Sequence, residues 1–342
     1  MKKKISMGDV ARKADVSVST VSRVINNQAG ISTDTRTRIL SIAKEMNLIP
    51  NIVIGNTIAN RTGNIGLIGT KTSNPPLHVT SSHLTVGILE ESAKIGYHIL
   101  TNLVNDEGMK NALQLPIIQE HKVDGIILIG PKIKSSFILD LYNSNIPLIL
   151  IDNCIRGLDI DCILYENQKA SYSLTHHLIK EHKHKKIVFL SGPDSWISNK
   201  ERETGYLQAM KEASLKAIIF YMPDTTISTG REAAKKALHE HPDLTAIVAV
   251  NDAAAIGAIQ ACKTSGYSIP KNISVTGFDD IHWAEFHDPP LTTVKTFVEE
   301  MGRQAVRRLL DLINHDKKKD YIGLSIRVGT RPVYRRSCGC SE

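Results

Sequence analysis

From Ile65 onward the apolar residues gather into short unbroken runs. These are Ile65–Gly69, Ile99–Leu103, Gly125–Ile129, Leu148–Ile151, Ile187–Leu190, Ile218–Tyr221, Ile247–Val250 and Val275–Phe278. Runs this short, bounded by glycine or polar groups, read as strands buried on both faces. Between them lie amphipathic stretches of helical period, such as Leu84–Ile95, Ser171–Lys180, Arg202–Ala213 and Ala253–Lys263. Strand alternating with helix specifies an α/β fold of doubly wound parallel sheets with helices on both faces. About 280 residues are too many for one sheet of ordinary size, so two lobes are expected.

The first sixty residues follow a different rhythm. Met7, Val10, Ala11 and Ala14 recur at helical spacing behind Ser6, a suitable N-cap. Asp15-Val16-Ser17 interrupts them, and Ser17 or Ser19 can cap a second helix running to about Asn26, with Val21, Val24 and Ile25 on one face. Ser32-Thr33-Asp34 opens a third helix, striped by Ile39, Ile42, Ala43 and Met46. Two short helices joined by a three-residue turn form a helix-turn-helix pattern.

Charge separates the two regions. Of a net +7, residues 1–62 hold ten Lys/Arg against four acids, whereas the remainder is almost neutral. No acid occurs from Met46 to Leu89. A cationic head suits a polyanion, although a solvated basic face reads the same way. The first aromatic residue is Tyr97, so the head lacks the stacking platforms that single-stranded nucleic acid needs. Duplex reading by a helix remains. Val18, Ser19, Thr20, Ser22 and Arg23 can approach base edges and phosphates closely, with Arg23 as guanine reader or phosphate clamp. The competing reading is three helices packed for stability, with the serines as caps.

No apolar run approaches the ~18 residues of a membrane span. Gly8, Asp9, Arg12, Lys13 and Asp15 occupy the place of a signal peptide's apolar stretch, so a cytoplasmic location is expected. Five scattered cysteines give no disulfide framework.

Ligands of open α/β sheets sit beyond the carboxyl ends of the strands. Asp152, Asn251, Asp252, Asp279 and Asp280 follow three expected strands there. Such planar groups suit a polyhydroxylated ligand, with Tyr165 as an aromatic wall. Asp252 and Asp280 are expected to be helix caps.

These residues also carry a resemblance. Asp9-Val10-Ala11 followed by Val16 through Asn26 resembles the DNA-binding head of the LacI/GalR family of bacterial repressors. Thr35-Arg36, Pro50-Asn51 and Arg61 through Ile68 are similar to its later landmarks, as are Leu291-Thr292-Thr293-Val294 and Arg336-Ser337-Cys338-Gly339. The resemblance implies a head (1–49), a hinge (50–62) and a core like periplasmic sugar-binding proteins. Its lobes would be 63–164 with 292–323, and 165–291 with 324–342, joined by crossings near Leu164, Thr292 and Gly323. The DNA-contacting set implied is Ser6, Val18, Ser19, Thr20, Ser22, Arg23 and Asn26, with Asn51, Ile54 and Thr57 in the hinge.

Two departures bear on the head. Asp15 replaces a usual turn glycine, and Thr57 stands where a minor-groove leucine wedge belongs. For the core, Lys200 through Tyr206 is similar to the effector clamp, which makes Arg202 the hydroxyl-gripping residue. Asn251 and Asp279 lie in pocket motifs, and Asp152 and Tyr165 sit where relatives place an acid and an aromatic. Thr225 replaces a frequent stacking aromatic.

Clustered His176, His177, His182 and His184 raise a metal question, but relatives commonly carry histidines at His177 and His184. Cys338-Gly339-Cys340 lacks a second cysteine pair and reads as a dispensable tail, so no metal site is expected. Neither a phosphate loop nor a nucleophile motif occurs, so no catalysis and no cofactor are expected. The expected protein is a homodimeric repressor of a palindromic operator, with tetramers left open, controlled by a small molecule such as a sugar. A sugar-binding receptor or sugar-processing enzyme with the same two-lobed core is the rival, and the basic head argues against it.

Overall fold

The computed structural model describes residues 5–25, 30–46, 61–71, 79–105, 107–314 and 321–341. Helix α1 (Met7–Lys13) starts where the Ser6 N–H and Oγ donate to Asp9 Oδ2 at 2.9 and 2.7 Å. Asp15 turns the chain at φ +50°, which a short polar side chain tolerates where most residues would strain. In α2 (Val18–Ile25) the cap is Ser17: its Oγ accepts the Thr20 N–H at 3.0 Å and also bonds the Ser19 hydroxyl. Helix α3 (Thr33–Glu45) closes a core of Val10, Ala11, Ala14, Val21, Val24, Ile39 and Ala43.

The first lobe is built from β1 (Asn64–Thr70), α4 (Val79–Lys94), β2 (His98–Val104), α5 (Pro116–Gln119), β3 (Gly125–Ile129), α6 (Ser135–Asn143), β4 (Leu148–Ile151) and β5 (Asp161–Tyr165). The second holds α7 (Asn167–Lys180), β6 (Ile187–Ser191), α8 (Ile197–Glu212), β7 (Ile218–Tyr221), α9 (Ile227–Glu240), β8 (Ala246–Ala249), α10 (Asp252–Thr264), β9 (Ser274–Thr276) and α11 (His282–Phe286). The chain then runs through β10 (Thr293–Thr296), α12 (Val298–Asn314), β11 (Ser325–Val328) and β12 (Thr330–Val333). Strand order is β11-β5-β4-β3-β1-β2 in the first lobe and β7-β6-β8-β9 in the second, parallel throughout; β10 and β12 form an antiparallel ribbon. The α/β class with a helix-turn-helix head and a two-lobed core is what the sequence led us to expect.

Glycine lets helices meet closely. A Cβ at Gly205 would collide with the backbone of Gln168 and Tyr172, so α7 and α8 touch there without side chains between them.

The third crossing differs from expectation. Ser325–Val328 hydrogen-bonds beside β5, pairing Ile326 with Ile163, so it belongs to the first lobe and the chain crosses at Gly329 rather than near Gly323. Strands β5, β10, β11 and β12 are absent from the sequence-based set because polar residues interrupt them. Asp161 opens β5, and Pro332 stands within β12.

Candidate functional site

On the head, Val18, Ser19 and Arg23 are exposed and Thr20 and Ser22 half-buried, while Val21 and Val24 point into the core. Val18 is 51% exposed although apolar, a placement that stability does not require. Ser6 is exposed at the start of α1, with its hydroxyl on Asp9. Asn26, Asn51, Ile54 and Thr57 lie outside the described residues.

In the core, Arg202 on α8 is almost fully buried and engages all three of its guanidinium nitrogens, leaving one N–H on each Nη for a further acceptor. Nε donates to Asn167 Oδ1 at 2.9 Å, Nη1 to the Val250 carbonyl at 2.7 Å, and Nη2 to Asp279 Oδ1 at 3.3 Å. Its Cζ lies 3.7 Å from the centroid of the Phe278 ring, a desolvated cation–π contact. Asp152, Asp279 and Asp280 all adopt positive φ at strand ends (+55°, +111° and +52°). Backbone of this kind concentrates at ligand sites, where the surrounding fold holds it.

Burial pushes the Asp152 carboxyl up to about 7, with Arg202 pulling it back and Asp279 adding to the rise. Asp279 is raised by burial too, and Arg202 again opposes. Burial, with the nearby Asp152 and Asp279 charges, holds the Tyr165 hydroxyl well above its ordinary value. Asp152, Tyr165, Arg202 and Asp279 therefore share one buried electrostatic environment. Asp152 Oδ1 is buried without a hydrogen-bond partner among the described residues.

Asn251 is the N-cap of α10: its Oδ1 accepts the Ala254 N–H at 2.9 Å and its Nδ2 donates to the Thr225 carbonyl at 3.1 Å. Both ends are engaged, so it braces the loop after β7 beside the carbonyl that Arg202 holds. Asp252 and Asp280 are not caps, contrary to expectation. Asp252 accepts from Thr293 Oγ1 and the Ile281 N–H, and Asp280 pairs with Arg335 at 2.8 Å. Both tie β10 and the tail to the second lobe.

Residues 62–323 match the family described as periplasmic binding proteins and sugar binding domain of LacI family, and residues 6–51 match the bacterial regulatory proteins, lacI family. The chain belongs to the LacI family. It is 32% identical to the transcriptional regulator DegA of Bacillus subtilis over 92% of this chain and 93% of that one. It is 34% identical to the transcriptional repressor PurR of Haemophilus influenzae (strain PittEE), over 90% of each. A lac repressor dimer bound to operator and the anti-inducer ONPF superposes with a TM-score of 0.77 at 26% identity, covering 98% of this chain and 99% of that one. The complex of the transcriptional regulator CelR with cellobiose gives 0.71 at 25%, covering 98% and 100%. The protein is thus a DNA-binding transcriptional repressor with an effector-binding core. No helix among the described residues is long and apolar enough to cross a membrane.

Within this LacI-family core several working residues escaped sequence reading. Glu201 accepts from Asn167 Nδ2 at 3.0 Å and pairs with Arg327 of β11 at 2.6 and 3.0 Å, linking the clamp to the other lobe. Trp196, under the Lys132 ammonium at 5.4 Å, is an aromatic between the lobes while position 225 is Thr. A lone Trp before a helix gave no signal, and Glu201 gave none because its partner lies 126 positions away. A cleft of about 940 Å³ opens beside the crossings, bordered by Asp279, Thr296, Gly329 and the start of α12. Of the five expected effector residues it reaches only Asp279, whereas the desolvated charges lie by Arg202.

The tail differs most from expectation. His177, His182, Cys338 and Cys340 come together with their ligand atoms within 4.8 Å of one another. The second pair that Cys338 and Cys340 lack in sequence is supplied by histidines.

Proposed function

We propose that this repressor acts as a homodimer that presents two heads to a palindromic operator, under control of a sugar or sugar derivative held between the lobes. The observation carrying the effector reading is the Asp152–Arg202–Asp279 cluster. A carboxylate oxygen without a partner, a forked guanidinium and a second acid offer paired hydrogen bonds to vicinal hydroxyls. Tyr165 and Trp196 supply apolar faces for a sugar ring. Asn251 takes part by holding the pocket floor.

The dimer reading rests on apolar side chains left uncovered on both lobes: Val86 and Leu89 one turn apart on α4, and Trp283 and Phe286 on α11. A single head of three small helices makes too few contacts to bind tightly, whereas paired half-sites add contacts and fix their spacing. In the head, Val18, Ser19, Thr20, Ser22 and Arg23 read the major groove, with Ser6 and Asn26 on the backbone and Asn51, Ile54 and Thr57 at the minor groove. Control requires the sugar to favour one lobe arrangement differentially.

The test is selection of random duplexes by the full-length protein, followed by operator titration with a panel of mono- and disaccharides. Enrichment of a site with two-fold symmetry, bound by two chains, and a shift in its affinity with one sugar class are expected. Enrichment of an asymmetric site bound by one chain, or operator affinity indifferent to every sugar that binds the core, would overturn it.

A further inference from the structure

We propose that His177, His182, Cys338 and Cys340 form a tetrahedral zinc site that fastens the C-terminal tail to the second lobe. Zinc held at ~2.3 Å from sulfur and ~2.0–2.1 Å from nitrogen sets its ligand atoms about 3.3 Å apart for two nitrogens, 3.5 Å for nitrogen and sulfur, and 3.8 Å for two sulfurs. The two Nε2 atoms here are 3.1 Å apart and the two Sγ atoms 3.5 Å apart. Cys340 Sγ lies 3.3 Å from His177 Nε2 and 3.4 Å from His182 Nε2, and Cys338 Sγ lies 3.9 Å from His177 Nε2. These edges already have the size of a zinc tetrahedron.

Local structure explains how the donors meet. His177 sits in the last turn of α7, the His182 ring just beyond the helix meets the His177 ring edge-on at 4.9 Å, and Lys183 at φ +58° then turns the chain away. On the tail, Gly339 at φ +101° turns the chain between the two cysteines, and a Cβ there would press against the His182 ring. Neighbours fix the donors in turn. Ser337 Oγ donates to the Val275 carbonyl at 2.6 Å, Ser274 Oγ donates to the Cys338 carbonyl at 3.1 Å, and Tyr334 stacks on His177 with centroids 4.0 Å apart. Thr292 Oγ1 lies 3.0 Å from Cys338 Sγ and 2.8 Å from the Arg335 carbonyl, so a hydroxyl stands ready to turn its proton onto a metal-bound thiolate.

Charge and softness agree. Two thiolates and two neutral imidazoles cancel a 2+ ion, which suits a half-buried site, and nitrogen with sulfur selects zinc over magnesium or calcium. His184 stays outside the quartet, with its Nε2 on Ser274 Oγ at 2.9 Å. The tail follows directly from β12, so the ion would hold that strand against β10 where both leave the crossings. On this assignment the tail is part of the fold and not dispensable.

The experiment uses the full chain, purified with reductant and without chelator. About one zinc per chain is expected. Cobalt substitution should give the intense visible bands and near-ultraviolet thiolate charge transfer of four-coordinate sulfur ligation. His182→Gln and Cys340→Ser, checked for fold by circular dichroism, should each weaken zinc by more than about tenfold against a competing chelator, whereas His184→Gln should not. Zinc well below one per chain after incubation with the ion, weak six-coordinate cobalt bands, retention of zinc in both ligand variants, or a Cys338–Cys340 disulfide under reductant would overturn the assignment.

Discussion

Lys132 Nζ, on the loop after β3, donates to Asp224 Oδ2, before α9 in the other lobe, at 2.9 Å. The pair exists only while the lobes are close, and Ile197 at the start of α8 adds to it by packing against the first lobe's core. Both charges are more than one-third exposed, so the pair is worth ~0.5–1 kcal/mol at most. Lys132→Ala should therefore weaken an effector that favours closure by about two- to fivefold, with little change in thermal stability. Calorimetric titration checks this, and unchanged affinity would mean the pair contributes nothing to closure.

Arg202 should behave differently, because its partners are buried. Arg202→Ala leaves Asp279 without its countercharge and should destabilise the second lobe by ~3–5 kcal/mol. Arg202→Lys separates binding from folding. It retains a positive charge but loses the fork that spans Asn167, Val250 and Asp279. Effector affinity should fall at least about tenfold while urea unfolding shifts less than in the alanine variant. Equal losses in both assays would assign Arg202 to stability alone.

How much the sequence revealed depended on the distance between partners. The head was legible because Val10, Ala11, Ala14, Val21 and Val24 meet within one short segment at helical spacing. Most sheet strands were legible as apolar runs. Strand β5 was not, since it opens on Asp161, and that acid is fully buried only because Arg308, Tyr321 and the Leu324 N–H converge on it from 147 to 163 positions away. For the same reason Asp152 and Arg202 could be singled out by position and resemblance, but Glu201 and Arg327 could not. The tail cluster hid most completely, with Cys340 and His182 separated by 158 positions.

Arg23 is exposed on α2 beside Val18 and Ser19, so removing it should leave folding untouched. Arg23→Ala should lower operator affinity by ~1–3 kcal/mol, or about five- to 150-fold, if it reads a base, and the loss should relax sequence preference at one position. A phosphate clamp would instead give a uniform loss across sequences and a shallower salt dependence. Binding isotherms on the selected operator and single-base variants distinguish the two. Wild-type affinity at moderate salt would remove Arg23 from the interface.

Asp152 makes the pH dependence specific. Its carboxyl, ordinarily at 3.8, is pushed up to about 7 by burial. Between these values the folded protein binds more protons than the unfolded chain, so this group's contribution to stability falls as pH rises. Asp152→Asn removes that slope: its melting temperature should exceed the wild type's at pH 8, and the difference should shrink toward pH 5. Effector binding should run the opposite way. Sugar hydroxyls donating to the ionised carboxylate would favour its charged form, so ligand uptake releases a proton and wild-type affinity rises from pH 6 to pH 8. In Asp152→Asn the affinity should be lower and this rise lost. Every other titrating group is common to the two proteins, so the difference between them isolates Asp152. An identical rise in the variant would show that another group sets the pH response and that Asp152 does not touch the ligand.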